Sequence, residues 1–89
     1  MNNKEKFLNA LEEYDNDKLV ITVHDGDEIS CRFKISISTI DEYDDEIIIR
    51  GDDNDFVILS GEPKNIIEDE IDEEFLFRNG NQILEVEFI

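Results

Sequence analysis

Positive charge is what this chain has least of. Eight Lys or Arg stand against 25 Asp or Glu in 89 residues, a formal net charge of −17. A folded chain of this size keeps roughly 5,400 Å² of surface, or one net negative charge for every ~320 Å². Nonspecific binding to nucleic acid rests on cations that release counterions from phosphates, so direct nucleic-acid binding is excluded as a general activity. An anionic membrane surface is disfavoured on the same ground. Long apolar runs are missing as well, and no window approaches the ~20 residues that cross a bilayer. Met1-Asn2-Asn3-Lys4-Glu5-Lys6 leads into no unbroken apolar segment, which predicts no secretory leader. The single cysteine, Cys31, cannot form an internal disulfide, in keeping with a reducing cytoplasm.

The same scarcity limits the chemistry. His24 is the only histidine and is expected at a hairpin corner, as a turn residue. Cys31 falls on the apolar face of a long strand beside Ile29 and Phe33, where a thiol serves as a small buried hydrophobe. Hairpin pairing sets His24 well along the ladder from Cys31, which argues against a nucleophile–base dyad. Ser30, Ser36 and Ser38 line the polar face of that strand with no base assigned to them. The sequence has no glycine-rich phosphate loop, no His-x-x-x-His and no paired-cysteine metal site. Pairs of carboxylates carry no signal, because 25 acids supply such pairs by chance. The oxygen donors Asp41, Asp44 and Asp45, or Asp52, Asp53 and Asp55, do not follow the spacing of an EF-hand loop. These absences predict a non-enzymatic protein with no cofactor and no specific metal site.

What remains is enough for a core. Although 37% of residues are charged, part of the signature of disorder, 39% are hydrophobic, six are Phe, two are Tyr and one is Pro. Phe7, Leu8, Leu11 and Tyr14 recur at helical spacing. They predict a helix over 3–15, capped by Asn2 or Asn3, whose apolar stripe covers a sheet face. Leu19, Ile21 and Val23 alternate with Val20, Thr22 and His24, and Ile29, Cys31, Phe33, Ile35 and Ile37 alternate with Ser30, Arg32, Lys34, Ser36 and Ser38. A three-residue loop, His24-Asp25-Gly26, pairs Ile21 with Ile29 and Leu19 with Cys31 in a bulged hairpin. Beyond the polar break 41–46, Ile47–Ile49 and Phe56–Leu59 are apolar at consecutive positions, which predicts strands covered on both faces or placed where a curled sheet closes.

Asn65 and Glu68 match a capping box, and Ile67, Ile71 and Phe75 stack at i, i+4 and i+8, so a short helical turn is expected near 65–71. Asn79-Gly80 has the composition of a type I′ turn and pairs Phe77 with Gln82 and Phe75 with Leu84. The expected fold is therefore α+β in one domain, 1–89. A short N-terminal helix precedes about six short antiparallel strands (19–24, 27–38, 46–50, 55–60, 73–78 and 82–88) in a bent sheet or small barrel.

The charge is unevenly placed. Residues 1–40 hold eight acids and five bases, net −3, and residues 41–89 hold seventeen acids and three bases, net −14. Solubility of a small domain needs a net charge of only about 2–8 in magnitude, and carboxylates beyond that weaken the folded state by self-repulsion. A directed use of the field is the expected reason, and a strongly basic protein surface is the expected partner. Alternate residues of a strand stand ~6.8 Å apart, near the spacing of successive phosphates. Glu85 and Glu87 have that relation, and Asp41, Glu42, Asp44, Asp45 and Glu46 are expected to extend the row, with Asp52, Asp53 and Asp55 as further contacts. In size, charge and class the chain resembles the small acidic DNA-mimic proteins of phages and mobile elements. That resemblance implies an inhibitor that occupies the phosphate-binding groove of a nuclease or other nucleic-acid-binding protein. Two alternatives share the composition: an immunity-like or adaptor protein that binds a cationic partner without mimicry, and a soluble domain whose charge serves solubility alone.

Overall fold

Strand pairing consumes most of the chain. The computed structural model describes residues 2–13, 18–67 and 73–88, and among them one helix, α1 (Asn3–Glu13), precedes seven strands. These are β1 (Lys18–Asp25), β2 (Glu28–Glu42), β3 (Glu46–Gly51), β4 (Phe56–Ser60), β5 (Lys64–Ile67), β6 (Glu73–Asn79) and β7 (Gln82–Phe88). All pair antiparallel in one sheet of order β4-β3-β2-β1-β7-β6-β5. No described helix is long and apolar enough to cross a membrane.

The helix begins where its cap predicts: the Glu5 amide donates to Asn2 Oδ1 at 2.8 Å. Eleven residues are too few for a stable isolated helix, so docking must hold it. Phe7 is wholly buried and supplies the dock, its ring meeting Phe75 and Phe77 edge-on at centroid distances of 5.0 Å and Phe88 at 6.0 Å. Ala10 is buried beside it, and Leu8 and Leu11 pack on the same core. Tyr14 lies outside the described residues.

The 15-residue β2 organises the sheet. Its residues 28–36 pair with β1, and residues 37–42 pair with β3. At the changeover the register shifts between Ile37 and Thr39, and such a bulge bends a strand. Gly51 pairs with Ile37 at this bend, and a Cβ on it would stand 2.9 Å from Ile35 Cγ1, so only glycine admits so close an approach. Bending brings Ile47, Ile49, Val57 and Leu59 into the same core as Leu19, Ile21, Phe75, Phe77 and Val86. The sheet remains open, and the small-barrel expectation is corrected. The bend also brings β4, one end of the sheet, near β6, the last strand but one at the other end, and Asn79 Nδ2 donates to the Ile58 carbonyl at 3.0 Å.

Register differs from expectation in both hairpins. Asp25 pairs with Glu28 and His24 with Ile29, so the loop is Gly26-Asp27, and a bulge between Val23 and His24 restores apolar pairing of Ile21 with Phe33 and Leu19 with Ile35. In the last hairpin Asn79 pairs with Gln82, Phe77 with Leu84 and Phe75 with Val86. Each loop starts on a left-handed glycine, Gly26 (φ 66°) or Gly80 (φ 60°), while its second residue is not left-handed. Glycine at the first loop position is the II′ pattern, not I′. The last register moves by two residues, so every face survives. In the first hairpin β2 slides outward past β1, and Cys31 and Ile29 become exposed, correcting the buried thiol.

Two further corrections follow from pairing. Residues 64–67 form β5, with Asn65 opposite Phe75 and Ile66 opposite Glu74, where a helical turn was expected. A four-residue helix meets the full cost of nucleation, whereas the edge of β6 satisfies the same backbone at once. Residues 68–71 of that expectation lie outside the described residues. Asp41 and Glu42, expected in a loop, end β2 opposite Ile48 and Ile47. The apolar runs of β3 and β4 are covered on one face only: Phe56 and Ile58 are exposed.

Candidate acidic interaction surface

Two turns and four strands (β2, β3, β6 and β7) present the carboxylates. The β2–β3 turn carries Asp44 and Asp45 between Glu42 and Glu46, and its backbone is tied at several points. The Tyr43 amide donates to the Glu46 carbonyl at 2.9 Å, and the Gly61 amide to the Asp45 carbonyl at 2.8 Å. From α1, Lys4 Nζ donates to the carbonyls of Tyr43 and Asp44. At the other end of the hairpin Asp52, Asp53 and Asp55 are exposed on the β3–β4 turn. That turn is held by the Asp52 amide on the Ser36 carbonyl (3.1 Å) and the Gly51 amide on the Asp55 carbonyl (2.8 Å). A strand the length of β3 separates the two turns by ~20 Å. Between them Asp41 Oδ2 accepts from Arg50 Nε at 3.2 Å, and Arg50 is the one base among residues 41–60.

Glu85 and Glu87 stand elsewhere, on the outward face of β7, three strands from β3 in the sheet order. Their surroundings are partly cationic. His24, on β1 and not in a turn, lies 2.8 Å from Glu85 Oε2, and Arg32 Nη2 lies 3.9 Å from Glu87 Oε1. Register adds a third acid, because Glu74 on β6 is directly opposite Glu87. Oxygens of Glu74, Glu85 and Glu87 all come within 4.8 Å of one another, an oxygen-rich geometry of the type hard divalent cations accept. Asp41, Glu42, Asp44, Asp45, Glu46, Asp52, Asp53 and Asp55 are thus brought onto one hairpin and its approaches, and Glu85 and Glu87 form a separate group.

Glu85 shows how the second group is balanced. Burial by itself would raise its pKa, but hydrogen bonds with His24 and Glu74 and the charge of His24 outweigh burial and hold it below the ordinary 4.5. A carboxyl lowered on folding contributes stability that is complete above its unfolded value and is lost as pH falls through the lower folded value. Glu85→Gln should therefore flatten the decline of the urea midpoint below about pH 4.5 and cost under about 1 kcal/mol near neutrality. An unchanged acid limb would show that the pair does not differ between folded and unfolded chains.

Three features escaped the reading of the sequence. Glu74 joins Glu85 and Glu87 only in the observed register. His24 became an outward strand residue once the loop shifted to Gly26-Asp27. The third is an apolar stripe of Ile48, Ile58 and Phe56 on the outward face of β3 and β4, formed by the pairs Ile48–Ile58 and Arg50–Phe56. Period-two reading of residues 46–60 contains that stripe, although the consecutive isoleucines concealed it.

Comparison with known proteins finds no match: no family model, no curated protein and no solved structure.

Proposed function

We propose that the protein is a non-enzymatic, acidic binding protein that seats on a basic protein surface. In its sharper form it is a nucleic-acid-mimicking inhibitor of a DNA- or RNA-binding protein such as a nuclease, of the phage or mobile-element type. One observation carries the reading: eight acids of residues 41–55 are mounted on the two ends of one hairpin whose turns are fastened by backbone hydrogen bonds. Preordered carboxylates limit the ordering cost of association, and their summed field steers a cationic partner toward them. Arg50, the one base there, is already matched by Asp41.

The immunity-like or adaptor reading has its own support. Glu85 and Glu87 face His24 and Arg32, which interrupts a phosphate-like row, and Phe56 and Ile58 offer contacts that nucleic-acid mimicry does not use. Capture of partners on the immobilised protein, followed by competition against labelled duplex DNA, separates the readings. Mimicry predicts stoichiometric release of DNA from the captured partner. A stable ternary complex with DNA rules mimicry out in favour of the adaptor reading. Absence of any saturable partner at physiological salt overturns both and leaves charge as a solubility device.

A further inference from the structure

The acid-rich hairpin β3–β4 also carries the most exposed aromatic side chain among the described residues. Phe56 is 58% exposed and Ile58 37%, and with half-buried Ile48 they form one contiguous stripe on the outward face of β3 and β4. Glu46 borders the stripe toward one end and Asp52, Asp53 and Asp55 toward the other, while Arg50, the one cation on this face, stands opposite Phe56 and is held by Asp41 beside Ile48. Contiguous exposed apolar side chains rimmed by polar groups mark interaction sites, and isolated ones do not.

Resting on the reading of a basic partner, we infer that this face of β3–β4 docks a cationic amphipathic helix, with apolar side chains on Ile48, Phe56 and Ile58 and Lys or Arg reaching the flanking carboxylates. Charge selects the occupant. A second copy would set the eight acids of residues 41–55 against their equivalents, each chain carrying −17. The edge of β4 selects the mode. Strand addition there meets Asn79, whose side chain already holds the Ile58 carbonyl, and the face stays open. Three strands, from the end of β2 to β4, span ~10 Å, the width of a helix with its side chains. Phe56 and Ile58 stand ~6.8 Å apart along β4, close to the ~6 Å between positions i and i+4 of a helix.

The test uses two Lys/Leu peptides of identical composition, one patterned as an amphipathic helix and one scrambled, titrated into the full chain at physiological salt. The patterned peptide should bind at least tenfold tighter, shift the amides of Ile48, Phe56 and Ile58 in NMR spectra, and lose its margin in Phe56→Ser. Those amide shifts are read on the unmodified protein, so the result does not depend on how the variant folds. Equal affinities with shifts confined to the acidic turns overturn the helix site and leave the acidic-surface reading standing. No binding of either peptide overturns that reading as well. Self-association abolished by Phe56→Ser also overturns the inference, because a second copy would then cover the stripe.

Discussion

Phe7→Ala should destabilise the protein by about 3–5 kcal/mol, the loss expected on truncating a buried phenylalanine. That is a large fraction of the ~4–13 kcal/mol total of a domain this size. The ring is fully buried and touches Phe75, Phe77 and Phe88, so its removal opens a cavity lined by three aromatics from β6 and β7. Little other apolar contact holds α1: Ala10 is small, and Leu8 and Leu11 are only half-buried. The first turn of α1 also meets the acidic surface, through the Lys4 side chain on the β2–β3 turn and the Lys4 amide donating to Glu62 Oε1 at 3.1 Å. Urea unfolding monitored by far-UV circular dichroism should show a lower midpoint and early loss of helical signal. A cost below about 1 kcal/mol would mean that the helix is not docked through Phe7.

Reversal of Glu42, Asp44 and Asp45 to Lys should slow association with a basic partner by at least tenfold at low salt and flatten its dependence on ionic strength. Each reversal moves two charges, so the net charge goes from −17 to −11, with the whole change at one turn. Steering by a complementary field alters on-rates by roughly 10–10³ and is screened over about 10 Å at 0.1 M salt, so a local change is felt most when salt is low. The turn should keep its shape, because its fastenings run through the carbonyls of Tyr43, Asp44 and Asp45 and not through the reversed carboxylates. Stopped-flow association at several salt concentrations checks both parts. Rates unchanged at all salts would make this turn a solvated face and move the contact elsewhere on the surface.

Hydropathy period and turn residues carried most of the secondary structure. The Asn2 cap, the helical spacing of Phe7 and Leu11, and the alternation through β7 are local signals that the structure bears out, whereas β1 is buried at four consecutive positions, Leu19 to Thr22, and β2 exposes Ile29 and Cys31. Pairing register was harder. Asn79-Gly80 reads as a I′ dipeptide and His24-Asp25-Gly26 as a three-residue bulged loop, yet each glycine opens its loop and the following residue completes it. At the final hairpin the two-residue slip preserves which side chains face inward, so sequence pattern has no means of opposing it. β5 was illegible for a different reason: its capping-box residues favour a helix locally, and only the waiting edge of β6 reverses that preference.

The sequence by itself determined the sign of the field, its concentration after residue 40 and an α+β chain with a sheet-forming core. These follow from counts and short-range periodicity, which need no long-range contact. Tertiary structure alone decided which carboxylates stand together. The bulge in β2 and the missing side chain of Gly51 fold β3–β4 over the core, setting eight acids around an exposed apolar stripe. Antiparallel register placed Glu74 against Glu87 and brought His24 to Glu85. Such proximity depends on contacts up to 61 residues apart in the chain, and no local pattern encodes them.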